Sequence, residues 1–174
     1  MGNSDIWYEF YPTPFSSVVK GNSMLKIVFV CLGNICRSPM AEFVMKDLTN
    51  QVYIESRATS SWEHGNPIHP GTQNIFRKHN ISYDSTKTSQ QISQNDFETF
   101  DFIIGMDSQN VQDLKRMAPS SAQNKIFQFT DESVPDPWYT GDFDETYRIV
   151  SKGCQHWLNK ILTMNSMNSQ KDSV

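Results

Sequence analysis

Apolar and polar positions alternate along the chain in blocks whose lengths distinguish strands from helices. Residues 25–31 form an apolar run of strand length, as in a strand that is buried on both faces. Shorter runs at 51–54, 102–106 and 125–129 predict three further strands. Apolar residues spaced by three and four predict helices between them, the last from about residue 142 to 163. This alternation predicts one α/β domain: a doubly wound four-stranded parallel sheet with helices on both faces.

The two ends of the chain lack this periodicity. Residues 1–23 are polar and aromatic without a period, and we interpret them as a poorly ordered N-terminal extension. Residues 24–164 then form the folded domain, and the polar residues 165–174 are expected to be a frayed tail.

Composition and charge narrow the function classes. With 15 Lys and Arg against 19 Asp and Glu, the chain is mildly acidic, which argues against a nucleic-acid partner bound through its phosphates. No apolar stretch is long enough to span a bilayer and no signal peptide is evident, so we expect a cytoplasmic protein. The three cysteines are an odd number, with Cys31 and Cys36 five apart, which favours reactive thiols over a disulfide framework.

The segment after the first strand carries the clearest chemical signal. In parallel sheets ligands bind beyond the carboxyl ends of the strands, where the spacing Cys-x₅-Arg-Ser occurs between a strand and a helix. A loop of this length can turn successive N–H groups toward one anion, and Gly33 and Asn34 tolerate the positive φ that such a loop needs. The predicted phosphate-binding loop consists of Leu32, Gly33, Asn34, Ile35, Cys36, Arg37 and Ser38.

The side chains of this segment suit phosphate chemistry. Arg37 can offer a planar fork to two phosphate oxygens. The positive potential of the loop should keep Cys31 as a nucleophilic thiolate at neutral pH. Ser38 can donate a hydrogen bond to that thiolate when it becomes the leaving group. The residues alone therefore predict a cysteine-dependent phosphatase with Cys31 as nucleophile.

The motif extends into a family pattern. Residues 30–42, with later matches at 59–62, 97–107 and 136–139, resemble the low-molecular-weight protein tyrosine phosphatases in order and spacing. The resemblance covers roughly residues 25–162 and implies phosphotyrosine-containing proteins as substrates. It also implies a four-stranded parallel sheet, no metal and no organic cofactor. We expect a monomer, with the oligomeric state left open.

The resemblance also selects the general acid. The family carries its acid in an Asp-Pro loop late in the chain, which matches Asp136 and Pro137. From the residues alone Asp131, Asp142 and Asp144 are equally available.

Further roles follow from the resemblance. Three aromatic residues are expected to form the walls of the substrate pocket: Trp62, Trp138 and Tyr139. Ser56 should hydrogen-bond Asn34, and His79 and Asp107 should form a buried pair that braces the loop. Cys36 is expected to form a reversible disulfide with Cys31 under peroxide, which would make the enzyme redox-sensitive.

One pair of residues differs from the family pattern, and one loop residue bears on the choice of substrate. Arg57 and Ala58 stand where the family usually has Ala-Gly. Arg57 is expected to alter the pocket rim, in a direction that the sequence does not indicate. Ile35 favours phosphotyrosine, because related arginine phosphatases of this fold carry threonine at that position. A phosphoarginine phosphatase is therefore the closest alternative.

Two other functions are weaker alternatives. A thiol-dependent arsenate reductase needs a further reactive cysteine pair, whereas this chain offers only Cys154 on a predicted core helix. A non-catalytic phosphate-binding module would be expected to lack the nucleophile or the acid, and both are present here.

Overall fold

The computed structural model describes residues 23–171. Apart from Ser23, the predicted N-terminal extension lies outside the described residues. The strands are β1 (Lys26–Cys31), β2 (Tyr53–Ala58), β3 (Phe102–Gly105) and β4 (Ile126–Gln128). The α-helices are α1 (Arg37–Leu48), α2 (Pro70–Lys78), α3 (Gln94–Thr99), α4 (Ser108–Met117), α5 (Pro137–Thr140) and α6 (Phe143–Lys171), and a 3₁₀ helix spans Ser120–Lys125.

The four strands form one parallel sheet in the order β2-β1-β3-β4. Cys31 at the end of β1 aligns with Ala58 of β2, and Val30 aligns with Gly105 of β3. The carboxyl ends of the three neighbouring strands therefore lie at one edge, with the β1–α1 loop between them. The predicted four-stranded parallel sheet is confirmed.

Helices cover both faces of the sheet because alternate residues of β1 enter two separate cores. Ile27 and Phe29 pack on one face with apolar residues of α1, α2 and α6. Val28 and Val30 pack on the other face with Phe97 of α3 and neighbours from α4. Both faces of β1 are thus removed from water, which explains its apolar run. The prediction of a doubly wound sheet is confirmed.

Two predicted boundaries differ from the structure. The second strand runs over β2 rather than over residues 51–54, because it is an edge strand whose half-buried Glu55 and Arg57 alternate with buried residues. The last helix continues to Lys171 instead of ending near residue 163, because no proline or glycine interrupts residues 164–171. Fraying of the tail stays a prediction. Over residues 23–171, no helix has both the length and the apolar character needed to cross a membrane.

Candidate active site

The segment between β1 and α1 folds back on the sulfur of Cys31. Asn34 adopts a left-handed conformation with φ of 55°, which asparagine tolerates better than most residues. This turn points the backbone N–H of Asn34 at Cys31 Sγ, at 3.2 Å. A side chain at Gly33 would have its Cβ 3.2 Å from the Glu63 stem, so the loop also passes close to its neighbour.

Four carbonyl oxygens of the loop accept hydrogen bonds from residues outside the loop. Leu32 accepts from Ser60, Gly33 from Ser89, Ile35 from His69 and Cys36 from Thr72. In contrast, the N–H groups of Gly33, Ile35 and Cys36 donate to no residue in the described part of the chain. A loop whose carbonyls are engaged on the outside leaves its N–H groups for an anion on the inside.

A hydrogen-bond network that involves two serines and the Asn34 side chain lies beside the thiol. Cys31 Sγ lies 3.1 Å from Ser38 Oγ, where the hydroxyl can donate to a thiolate. The Asn34 side chain donates to Ser38 at 2.8 Å and to Ser56 at 2.9 Å. Ser56 therefore contacts Asn34 as expected, and the Asn34 side chain is held from two sides. Both oxygen acceptors are buried, so the arrangement is protected from competing water.

Arg37 begins α1 and turns its guanidinium into the site, where it is 3% exposed. Its Nη1 donates to Asp107 at 2.6 Å and to the Val134 carbonyl at 3.1 Å, and its Nη2 lies 3.2 Å from Asp136. Burial works against the charge of Arg37, but the nearby Cys31, Asp136 and Asp107 groups outweigh it and raise its pKa. The guanidinium is thus charged and fixed in position before any ligand binds.

Asp136 is held by the short helix that follows it. It is the N-cap of α5: one carboxylate oxygen accepts from the Trp138 N–H at 3.1 Å, and the other faces Arg37. The two prolines on either side, Pro135 and Pro137, restrict the backbone of this turn. Its side chain is one-fifth exposed, so both the interior and water can reach it.

The predicted groups line one cleft of about 120 Å³. Cys31, Arg37 and Asp136 lie in its walls, and Trp62, Trp138 and Tyr139 stand at its exposed rim. A larger groove of about 360 Å³ lies between the end of β4 and α6, but no cysteine lines it. Of these two clefts, the smaller one combines a thiol with a guanidinium and a carboxylate, so it is the candidate active site.

One predicted contact is wrong. His79 and Asp107 do not form a buried pair: His79 is exposed at the end of α2 and stacks on Tyr147 with ring centroids 3.9 Å apart. Asp107 instead pairs with Arg37 and caps α4 through the Asn110 N–H. The physical reason is that α2 places residue 79 at its solvent-facing end.

Sequence reasoning missed the groups that stand behind Asn34. Glu42, 2% exposed, accepts a hydrogen bond from Ser56 at 2.6 Å, and Lys87 Nζ lies 3.1 Å from the same carboxylate. The Gln90 N–H donates to the side-chain oxygen of Asn34 at 3.1 Å. The sequence did contain one signal of this buried carboxylate. Glu42 lies between Ala41 and Phe43 in a stretch of α1 whose residues are all buried.

The other cysteines differ from Cys31 in their surroundings. Burial, with smaller effects from the charges of Cys31 and Asp136, raises the pKa of the Cys36 thiol. Burial alone raises the pKa of the Cys154 thiol, which lies in the core under α1. Among the described residues, no group of three or more His, Cys, Asp or Glu side chains is arranged to hold a metal ion.

Comparison with known proteins assigns the family. The model of the low molecular weight phosphotyrosine protein phosphatase family matches residues 26–169 of this chain. The chain belongs to this family. The resemblance predicted from the sequence is therefore confirmed, and with it the expectation of an enzyme of this class.

Individual phosphatases support this family membership. The Bacillus subtilis low molecular weight protein-tyrosine-phosphatase YfkJ is 39% identical over 79% of this chain and 96% of its own length. A Streptococcus pyogenes low molecular weight protein tyrosine phosphatase is 61% identical, with a TM-score of 0.76 over 79% of this chain and 93% of that one. A Drosophila arginine phosphatase is 30% identical, with a TM-score of 0.72 over 79% of this chain and 98% of that one.

Proposed function

We propose that this phosphatase removes phosphate from phosphotyrosine in proteins through a phosphocysteine intermediate on Cys31. One observation carries the proposal: a thiol, a buried guanidinium and a carboxylate line a single cleft at the carboxyl end of β1. Inward-facing N–H groups at the same place supply further donors for the phosphate oxygens.

The first chemical step is attack of the Cys31 thiolate on phosphorus. The bond from phosphorus to the tyrosyl oxygen breaks, and Asp136 gives its proton to the departing oxygen. Arg37 and the loop N–H groups hold the phosphoryl oxygens, where negative charge concentrates in the transition state.

The second step is hydrolysis of the phosphocysteine. Asp136 takes a proton from a water molecule as that water attacks phosphorus, and the Cys31 sulfur leaves as a thiolate. Ser38, 3.1 Å from that sulfur, stabilises the leaving thiolate by donating its hydroxyl hydrogen. Inorganic phosphate then departs and the enzyme returns to its starting state.

The rim supports an aryl substrate. Trp62, Trp138 and Tyr139 are all more than half exposed, which is unusual for aromatic residues unless they serve a contact. A tyrosyl ring between them would let its phosphate reach the loop. The apolar Ile35 in the cleft supports phosphotyrosine over phosphoarginine.

The test is turnover of a phosphotyrosine peptide beside a phosphoarginine peptide of the same sequence. We expect a preference for phosphotyrosine of about 10-fold or more in kcat/KM, the scale on which one pocket contact discriminates. Ile35→Thr should narrow that preference, and Cys31→Ser should abolish both activities. A preference for phosphoarginine would keep the mechanism and overturn the substrate.

Three finer predictions accompany this function. Under peroxide, the sulfenic acid of Cys31 would condense with the Cys36 thiol and release water, giving a reducible disulfide. The cytoplasmic location and the monomeric state stay predictions. An arsenate reductase is disfavoured because Cys154 is fully buried and so is not available as a mobile second thiol.

A further inference from the structure

His69 lies where the phosphate-binding loop, α2 and α6 meet. It is the N-cap of α2, and its backbone N–H donates to the carbonyl of Ile35 in the loop at 2.9 Å. Its side-chain Nδ1 accepts from the Gly71 N–H at 2.9 Å, which fixes the orientation of the imidazole ring. Because Pro70 follows, the His69 backbone is also restricted to extended geometry. Both the backbone and the ring of His69 are therefore held in place.

The oriented ring stacks on Phe143, the first residue of α6. The two ring centroids are 5.0 Å apart, and the ring planes differ by 21°. The stack depends on glycine at position 71, because a Cβ there would overlap the Phe143 ring. The start of α6 is thereby fixed against the start of α2.

This stack lies at the end of the segment from Asp136 to Phe143, which we call the acid segment. The first turn of α6 also approaches the other end of that segment. The Thr146 hydroxyl oxygen lies 3.5 Å from the carbonyl oxygen of Pro135, the residue immediately before Asp136. The first turn of α6 therefore contacts the chain on both sides of α5, and His69 is one of the residues that hold this turn.

The carboxyl group of Asp136 depends on the backbone of the acid segment when it acts as an acid. Within residues 23–171, this carboxylate has two hydrogen-bond partners, Arg37 at 3.2 Å and the Trp138 N–H at 3.1 Å. Asp136 must carry a proton to act as an acid, and an uncharged carboxyl group forms no ion pair with Arg37. The Trp138 N–H then remains as its partner, so the direction of the acid follows the position of this backbone.

His69 also contacts the ring of Trp138, but this contact does not direct the acid. The two rings meet edge to face, with centroids 5.8 Å apart and planes at 82°. Asp136 accepts from the backbone N–H of Trp138, which any residue other than proline supplies. The connection from His69 to the acid therefore runs through Phe143.

We propose that His69 is a positioning residue for the general acid, acting through Phe143 to hold the acid segment so that the Asp136 carboxyl group faces the departing oxygen. His69 is not among the residues that line the cleft. The inference rests on the proposed function, and within it on the role of Asp136 as acid.

Two substitutions separate this role from that of a simple helix cap. His69→Asn keeps a hydrogen-bond acceptor for the start of α2, since asparagine is a favourable N-cap, but removes the ring. His69→Phe keeps a flat ring to stack on Phe143 but removes the acceptor. A residue that only caps α2 should tolerate asparagine better than phenylalanine, and a residue that positions the acid should do the opposite.

The experiment compares kcat/KM for phenyl phosphate, whose leaving oxygen needs a proton, with that for 4-nitrophenyl phosphate, whose leaving oxygen needs little. We expect His69→Asn to lower kcat/KM about 10-fold for phenyl phosphate and less than about 3-fold for 4-nitrophenyl phosphate. His69→Phe should stay within about 2-fold of wild type on both substrates. His79→Asn is the matched control, because His79 stacks on Tyr147 at the opposite end of α2, and it should leave both values unchanged.

The partner ring provides a second criterion. In a Phe143→Leu background the stack is already lost, so adding His69→Asn should cost no more than about a further 2-fold for phenyl phosphate. Fully additive losses would overturn the inference. Equal losses of His69→Asn on the two aryl phosphates, or a larger loss in His69→Phe than in His69→Asn, would overturn it as well.

Amide hydrogen exchange of the acid segment, followed by peptide mass spectrometry, is a readout that needs no turnover. We expect faster exchange in His69→Asn than in wild type and His69→Phe, and equal rates in all three would overturn the inference. If His69→Asn fails to fold by thermal unfolding, Phe143→Leu alone is read by the same criteria. Wild-type protein that does not turn over phosphotyrosine would refute the proposed function, whereas the exchange rates would still decide whether His69 holds the acid segment.

Discussion

The floor and the rim of the active-site cleft are built in opposite ways. The floor is tied to the rest of the fold by hydrogen bonds: Asn34 alone bonds to Cys31, Ser38, Ser56 and Gln90. At the rim, Trp62 and Tyr139 are each 77% exposed. The floor is therefore fixed by the fold itself, whereas most of the aromatic surface of the rim faces water.

This difference separates two tasks. Phosphoryl transfer depends on donors placed to within a fraction of an ångström, which a buried loop held by its carbonyl oxygens and by the Asn34 side chain provides. Recognition of different protein chains tolerates variation, which exposed aromatic side chains provide. We expect substitutions in the floor to act on the chemical step and substitutions in the rim to act on substrate binding.

The largest expected effect is loss of the nucleophile. Cys31→Ser should lower kcat by about 10⁴-fold or more, since an alcohol at this pH is a far weaker nucleophile than a thiolate. Inorganic phosphate should still bind, because Arg37 and the loop N–H groups are unchanged. Turnover of 4-nitrophenyl phosphate and a phosphate-binding titration measure the two properties. Residual activity near that of wild type would refute the assignment of Cys31.

Loss of the acid should have the next largest effect. Asp136→Asn keeps an N-cap for α5 but cannot donate the proton, so kcat should fall about 10²- to 10⁴-fold with phenyl phosphate. With 4-nitrophenyl phosphate, whose leaving group needs little protonation, the loss should be clearly smaller. Asp142→Asn, which caps a neighbouring helix start, is the matched control and should retain activity. Equal losses on both substrates would point to another acid.

The smallest effect is expected at the rim. Trp138→Ala should raise KM for a phosphotyrosine peptide about 2- to 10-fold, the value of one aromatic contact, and leave kcat nearly unchanged. The melting temperature should change no more than for an ordinary surface substitution, such as the control Met167→Ala at an exposed position of α6. A fall in kcat instead would show that the rim takes part in the chemical step.

Features that depend on neighbouring residues in the chain could be predicted from the sequence. The apolar run of β1, the loop after it and the apolar side of α1 follow local rules, and the structure has them where the pattern predicts. Edge strand β2 was misplaced because its outward residues are polar, so its apolar signal covers only part of its length. The helical turn of α5 was not predicted, since four residues carry no periodicity.

Contacts between distant segments were the least predictable part. Pairing His79 with Asp107 followed from resemblance, and the structure places His79 against Tyr147 instead. Lys87 and Glu42 are 45 residues apart and come together only through the packing of α1 beside the segment before α3. No local pattern encodes this contact; the one hint was Glu42, a charged residue that lies between the buried Ala41 and Phe43.

The outward carbonyls of the β1–α1 loop have a kinetic consequence. Because Ser60, Ser89, His69 and Thr72 already hold the loop open, no free energy is lost in ordering it when an anion arrives. Free inorganic phosphate offers the loop the same oxygens as a phosphorylated protein does. The product therefore competes with the substrate for an unaltered site, and turnover should fall as phosphate accumulates around the enzyme.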